Sequence, residues 1–232
     1  RMNNVNSYWV VFELLVRDYF RHVTWNAGRS LFGIHGIHGR PRANVELPPW
    51  RSPTDVNTAW LIDAWRTGTT GVPVVDACMR ELAATGFMSN RGRQIVASFL
   101  VRDLQVDWRV GAEWFEATLI DHDVAANWGN WAYAAGVGND PRGARYFHPI
   151  KQSKQYDADG AHRSAWLPEL SRLSAFDSVA PWKVPASRLR SAGVTLGTSY
   201  PRPVVDMSHL DGNRGKNAGR GSGGKGRGGR KY

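Results

Sequence analysis

Cysteine is nearly missing from these 232 residues: Cys78 stands alone, so no internal disulfide can brace the fold. Long apolar runs are also missing. Nothing approaches the roughly 18 consecutive apolar residues of a membrane-spanning helix, and the first residues lack the charged-then-apolar layout of a secretion signal, so a soluble protein with no membrane partner is expected. No stretch alternates apolar and polar residues in the manner of a half-buried strand, which leaves helix as the default element. Acid is absent from Gly212 to Tyr232, where Arg214, Lys216, Arg220, Lys225, Arg227, Arg230 and Lys231 are interspersed with glycines. That tail carries most of the formal charge of +10 and is too poor in apolar residues to order itself. Metal chemistry finds little support: His35 and His38 sit in a glycine-rich loop with no Cys or carboxylate beside them, and no metal site is expected.

What the chain has is 42% apolar residues, enough for a core, and eleven tryptophans. Four of these (Trp108, Trp114, Trp128, Trp131) fall between Trp108 and Tyr133, together with Asp121, Asp123 and Asn127. Aromatics alone would be core. Carboxylates among them must find partners or become protonated, and a planar polar ligand with ring N–H groups and ribose hydroxyls would supply such partners. Gly129 is expected to allow close approach of backbone and ligand.

The spacing predicts a helix over 7–22, N-capped by Asn6 or Ser7, with Tyr8, Phe12, Leu15, Tyr19 and Phe20 on one face and a Glu13–Arg17 ion pair four residues apart. Gly- and Pro-rich residues 26–50 form a loop. A second helix is expected within 52–70, capped by Ser52 or Thr54, bearing Trp60, Leu61, Ala64 and Trp65, and stopping at Gly68. A third starts near Pro73, ends at Gly86 and buries Val75, Cys78, Met79 and Leu82. One core stripe then runs through Ile95, Phe99 and Val106, and a further helix turns Trp114, Phe115, Thr118 and Leu119 inward. That helix delivers Asp121 and Asp123 to its C-terminal end, where the helix dipole opposes them.

The stretches SNRGRQIVASFLVRDLQVDWR, LIDHDVAANWGNWAY, FELLVRD and WLPEL together resemble the flavin-binding helical domain of the photolyase and cryptochrome family, in its cryptochrome-DASH branch, over roughly residues 7–170. The resemblance implies an all-α fold and FAD as cofactor. It implies that Arg93 pairs with Asp121 beside the flavin, that Asp123, Asn127 and Arg17 also hold the cofactor, and that Asn90 and Arg91 stand at the pocket mouth. It implies that Glu13 and Asn90 bind a damaged pyrimidine pair, with Tyr133, Gln152 and Lys154 along the nucleic acid. Trp131, Trp108 and Trp50 resemble a three-tryptophan electron path, with Trp60 the substitute for Trp50. Where the family usually has a lesion-stacking Trp, this chain has Val16.

The expected organisation is a helical FAD-binding domain at 1–173, an irregular extension at 174–211, and a disordered basic tail at 212–232. An antenna domain with a folate-type chromophore and the phosphate-holding loop of the family would precede residue 1, so the chain reads as part of a longer protein, which the expectation takes to be a monomer. The implied activity is that of a deoxyribodipyrimidine photo-lyase, a carbon–carbon lyase opening pyrimidine dimers in DNA, preferentially single-stranded. The alternatives are a non-repairing blue-light photoreceptor and an RNA-binding protein acting through its Arg/Gly tail. In a eukaryote, chloroplast and mitochondrion are both open as locations.

Overall fold

The computed structural model of the chain describes residues 5–41, 49–139 and 145–210; the basic tail lies outside them. Among the described residues every regular element is helical, and backbone pairing is limited to the isolated bridges Arg51–Val106 and Leu196–Tyr200. No described helix is long and apolar enough to cross a membrane, and no group of His, Cys, Asp or Glu among these residues could hold a metal ion.

The most buried element is α3 (Pro73–Thr85), which sinks Val74, Val75, Ala77, Cys78, Met79 and Leu82. Pro73 occupies the first turn, where its missing N–H costs nothing, and Gly86 closes the helix with the positive φ of 69° that a glycine adopts without strain. Around α3 pack α2 (Val56–Thr67), α4 (Asn90–Ser98), α7 (Pro149–Tyr156) and α8 (Ala161–Trp166). Beside them α5 (Trp108–Thr118) pairs with α6 (Val124–Ala135), and α1 (Val5–Ala27) lies on α6. The main core runs through Trp65, Met79, Phe99, Trp108, Phe115 and Trp131.

Several expected boundaries move. Helix α1 begins at Val5, so Asn6 and Ser7 are inside it, and the cap of α2 is Asp55, which accepts from the Asn57 N–H at 2.8 Å. The Glu13–Arg17 pair does not form: the Arg17 guanidinium turns to Asp18, 2.9 Å away, because the neighbouring carboxylate is in direct reach. Of the aromatic face on α1 only Phe20 is buried, whereas Tyr8, Phe12, Leu15 and Tyr19 stay exposed, since α1 packs chiefly on α6 and the short turns 28–32 and 36–38. Ile95, Phe99 and Val106 all reach the core as expected, but not along one continuous helix. After α4 the chain makes a π turn over Phe99–Asp103 and passes through Gln105 at φ 54°; Val106 is buried as an extended residue beside Arg51.

The segment from Leu173 to Leu210 runs mostly through short turns, with one helix, α9 (Ala186–Ser191). Its Leu189, Val194 and Tyr200 share a second core with Ala77, Leu167 and Leu170. Tyr200 donates its hydroxyl to the buried Asp76 carboxylate at 2.6 Å; Asp76 also accepts from Thr70 N, Thr70 Oγ1 and Gly71 N. Burial pushes the Asp76 carboxyl up to about 6, against the pull of these four donors.

Candidate functional site

Helices α1, α4 and α6 and the turn after α5 enclose an open cleft of about 730 Å3 that continues into a deeper recess of about 170 Å3. Asn90, Arg93, Asp121 and Tyr133 line both. Glu13 and Val16 line the cleft from α1, while Asp123, Asn127 and Trp131 line the recess. A cavity of this size, in which apolar side chains alternate with converging polar and charged ones, suits a large polar cofactor.

Arg93 is fixed twice. Its Nε donates to the Met88 carbonyl at 2.8 Å, and its Nη2 donates to both Asp121 oxygens at 3.0 and 2.8 Å. Such a held guanidinium adds specificity as well as charge. Asp123 does not sit at a helix C-terminus as expected: α5 stops at Thr118, and Asp123 is the N-cap of α6, accepting from the Ala126 N–H at 2.9 Å. The dipole therefore favours it, and that N–H, with the Arg21 guanidinium 3.2 Å away, holds its carboxyl below the usual Asp range. Asn127 is buried in α6, and one amide hydrogen is committed to the Ala112 carbonyl at 2.9 Å, tying α6 to α5. Gly129 lines the cleft and also serves a close approach between helices: a Cβ there would overlap the Phe20 ring, so the glycine seats α1 on α6.

Not every expected residue arrives. Arg17 lines neither cavity and is bonded to Asp18. Arg91 stacks on Tyr156 and Phe147, its guanidinium carbon 4.5 and 5.5 Å from the ring centres. Gln152 is half-buried, and Lys154 lies over Phe176 at 5.2 Å, beside a separate groove. Residues not anticipated include Asn130 and Arg145, which line both cavities, with Arg145 5.5 Å from the Tyr133 ring. His122 is another: it lines the recess and both of its ring nitrogens are sealed from solvent without a partner. Its place between two aspartates was the available signal.

Trp131 forms the apolar floor of the recess, edge-on to Phe115 at 5.1 Å and to Trp65 at 6.1 Å. Trp108 is fully buried one turn from Gly111, where a Cβ would overlap the Trp131 ring. Trp50 packs half-buried against the same core, and its neighbour Arg51 accepts from the Asp107 N–H at 3.4 Å, next to Trp108. Trp60 is 51% exposed on α2.

An all-α domain with a large, polar-rimmed, tryptophan-floored cavity is a cofactor-binding scaffold. Residues 9–215 match the family described as the FAD binding domain of DNA photolyase. The chain is 52% identical over 207 residues to cryptochrome DASH of Gloeobacter violaceus, covering 89% of this chain and 39% of that protein. It is 51% identical over 205 residues to cryptochrome DASH of Xenopus laevis, covering 88% and 37%. The crystal structure of a Synechocystis cryptochrome superposes with a TM-score of 0.81 at 49% identity, covering 90% of this chain and 41% of that one. The chain belongs to the photolyase and cryptochrome family, and its curated relatives carry the DASH name. It spans about two fifths of the length of these relatives.

The cavity fits a flavin on its own terms: the sealed His122 nitrogens need partners, Arg93 can balance negative charge on a ring, and Trp131 offers an apolar wall.

Proposed function

We propose that the parent protein is a blue-light-driven, FAD-containing photolyase of the DASH type that opens cyclobutane pyrimidine dimers, with single-stranded DNA as the preferred substrate. The observation that carries this reading is the single continuous cavity in which Arg93, Asp121, Asp123, Asn127 and Trp131 surround the recess while Glu13, Asn90 and Tyr133 stand at the cleft above it. The flavin, when bound, supplies the light-driven electron transfer. Arg93, held by Asp121, places positive charge beside it, and Asn127 is held rigid by Ala112. Glu13 accepts hydrogen bonds from the damaged bases and Tyr133 stacks on one. Trp131, Trp108 and Trp50 pass electrons inward; Trp50 is taken over Trp60 because it packs on the core that contains the other two.

Val16, on the cleft wall, shapes the substrate preference. Flipping a dimer out of a duplex costs a few kcal/mol and much less from a single strand, whereas an aromatic platform returns about 1–3 kcal/mol per base. With valine there, duplex repair is poorly supported. The same residue favours the second reading, a photoreceptor that binds flavin and signals without repair. A third reading, RNA binding through the Arg/Gly tail, rests on residues outside the described structure. Blue-light assay of the full-length protein on dimer-containing single strands separates them: light-dependent repair is expected, and bound flavin without repair would favour the photoreceptor. Trp131→Phe is expected to keep the fold and abolish flavin photoreduction; photoreduction at the native rate would refute the electron path.

A further inference from the structure

Trp128 is a buried aromatic whose role the cavity does not explain. It lines neither the cleft nor the recess and is 6% exposed. Its ring is edge-on to Trp108 at 5.7 Å and to Phe32 at 4.8 Å. Its indole N–H donates to the Glu116 Oε2 at 2.7 Å, and Glu116 is exposed. The other indoles of this wall end differently: Trp108 donates to the Ile34 carbonyl, Trp65 to the Val96 carbonyl, and Trp50 Nε1 is buried without a partner. A backbone carbonyl is a poor base. A carboxylate is a competent one.

We propose that Trp128 and Glu116 form a proton-coupled branch of the tryptophan path, and that Glu116 is the proton acceptor; this rests on the electron path inferred above. The oxidant is the photoexcited, oxidised flavin, which takes one electron by way of Trp131 and Trp108. Trp128 then gives one electron to the oxidised Trp108 ring across their contact. Losing an electron makes the indole N–H strongly acidic, so its Nε1–H bond breaks and the proton moves along the hydrogen bond to the Glu116 carboxylate. The result is a neutral indole radical on Trp128 and a carboxylic acid at the surface, which releases the proton to water. The electron count closes: one electron resides on the flavin, one is missing from Trp128, and one proton is in solvent. Because the neutral radical can recombine only by regaining that proton, the branch holds charge apart longer than a path ending on a protonated radical.

The test uses the full-length, flavin-loaded protein and its Glu116→Gln and Trp128→Phe variants. Transient absorption and electron paramagnetic resonance distinguish protonated from deprotonated indole radicals. The native protein is expected to give a long-lived deprotonated radical with a solvent deuterium effect. Glu116→Gln, an isosteric exposed change, is expected to leave the radical protonated and shorten its lifetime several-fold, and Trp128→Phe is expected to remove the long-lived species. Flavin affinity should be native in both, since neither residue lines the cavity. A deprotonated radical of native lifetime in Glu116→Gln would overturn the branch. If Trp131→Phe blocks radical formation while Glu116→Gln behaves as native, the path stands and the branch alone falls; if Trp131→Phe changes nothing, both fall.

Discussion

Two carboxylates two residues apart, Asp121 and Asp123, perform different work, and a third, Asp76, differs from both. Asp121 is spent on Arg93, so Asp121→Asn should loosen the guanidinium and weaken flavin binding without unfolding the protein. Asp123 caps α6, and Asp123→Ala should cost about 1 kcal/mol, the usual value of a lost cap, measured by urea unfolding. The two perturbed carboxyls give opposite pH dependences. Asp123 is held low by the Ala126 N–H, so its contribution is present above the ordinary Asp range and fades as pH falls through its lowered value. Asp76 is pushed up to about 6 by burial. The folded state therefore binds the Asp76 proton more tightly than the unfolded chain, and stability from this group is greatest below pH about 4 and declines as pH rises to about 6. Comparing unfolding midpoints of native and Asp76→Asn proteins from pH 4 to 7 checks this: the difference should change across that window and level off above it. The motif containing Asp121, Asp123 and Asn127 was legible in the sequence because polar residues among tryptophans need partners. That Asp123 starts a helix, instead of trailing one, was not, because the end of α5 depends on where the chain must turn toward α6.

Among elements, the segment that follows α8 shows the limits of reading pattern alone. Helices α2 and α3 were recoverable from apolar spacing and from the glycines that end them, since those signals are local. The attachment of residues 173–210 to α3 was not, because it depends on Tyr200 meeting Asp76 across 124 positions of sequence. Tyr200→Phe removes that hydroxyl and is expected to cost about 1–3 kcal/mol, leaving a buried carboxylate one donor short. Limited proteolysis should then cut first within 173–210; unchanged stability and cleavage would mean that the contact is incidental. The α5–α6 pair offers a second check. At Gly111 any Cβ overlaps the Trp131 ring, so Gly111→Ala should cost about 1–3 kcal/mol through overpacking and shift the recess floor.

At the scale of the whole molecule, the all-α class followed from the absence of alternating patterns, but the shape of the cavity did not, since it arises where α1, α4 and α6 meet. The exposed aromatic and aliphatic face of α1, including Tyr8, Trp9, Phe12 and Leu15, is larger than scattered surface apolars. The isolated 232-residue chain is therefore expected to associate with rising concentration, as light scattering would report. For the tail, if all seven cations met phosphates, the salt slope of single-strand binding would gain roughly −5, at about −0.7 per contact. Deleting residues 212–232 should flatten that slope and leave flavin binding untouched. One cavity, organised by Arg93 on Asp121, is expected to hold the flavin. The most direct test of this is equilibrium titration of FAD into the apo form of the full-length protein, native and Arg93→Leu, followed by flavin fluorescence. One flavin per native chain is expected, with an affinity at least about tenfold weaker in the variant, the loss of roughly 1.4 kcal/mol of binding. Equal affinity in the two, or no flavin bound by the native protein, would contradict it.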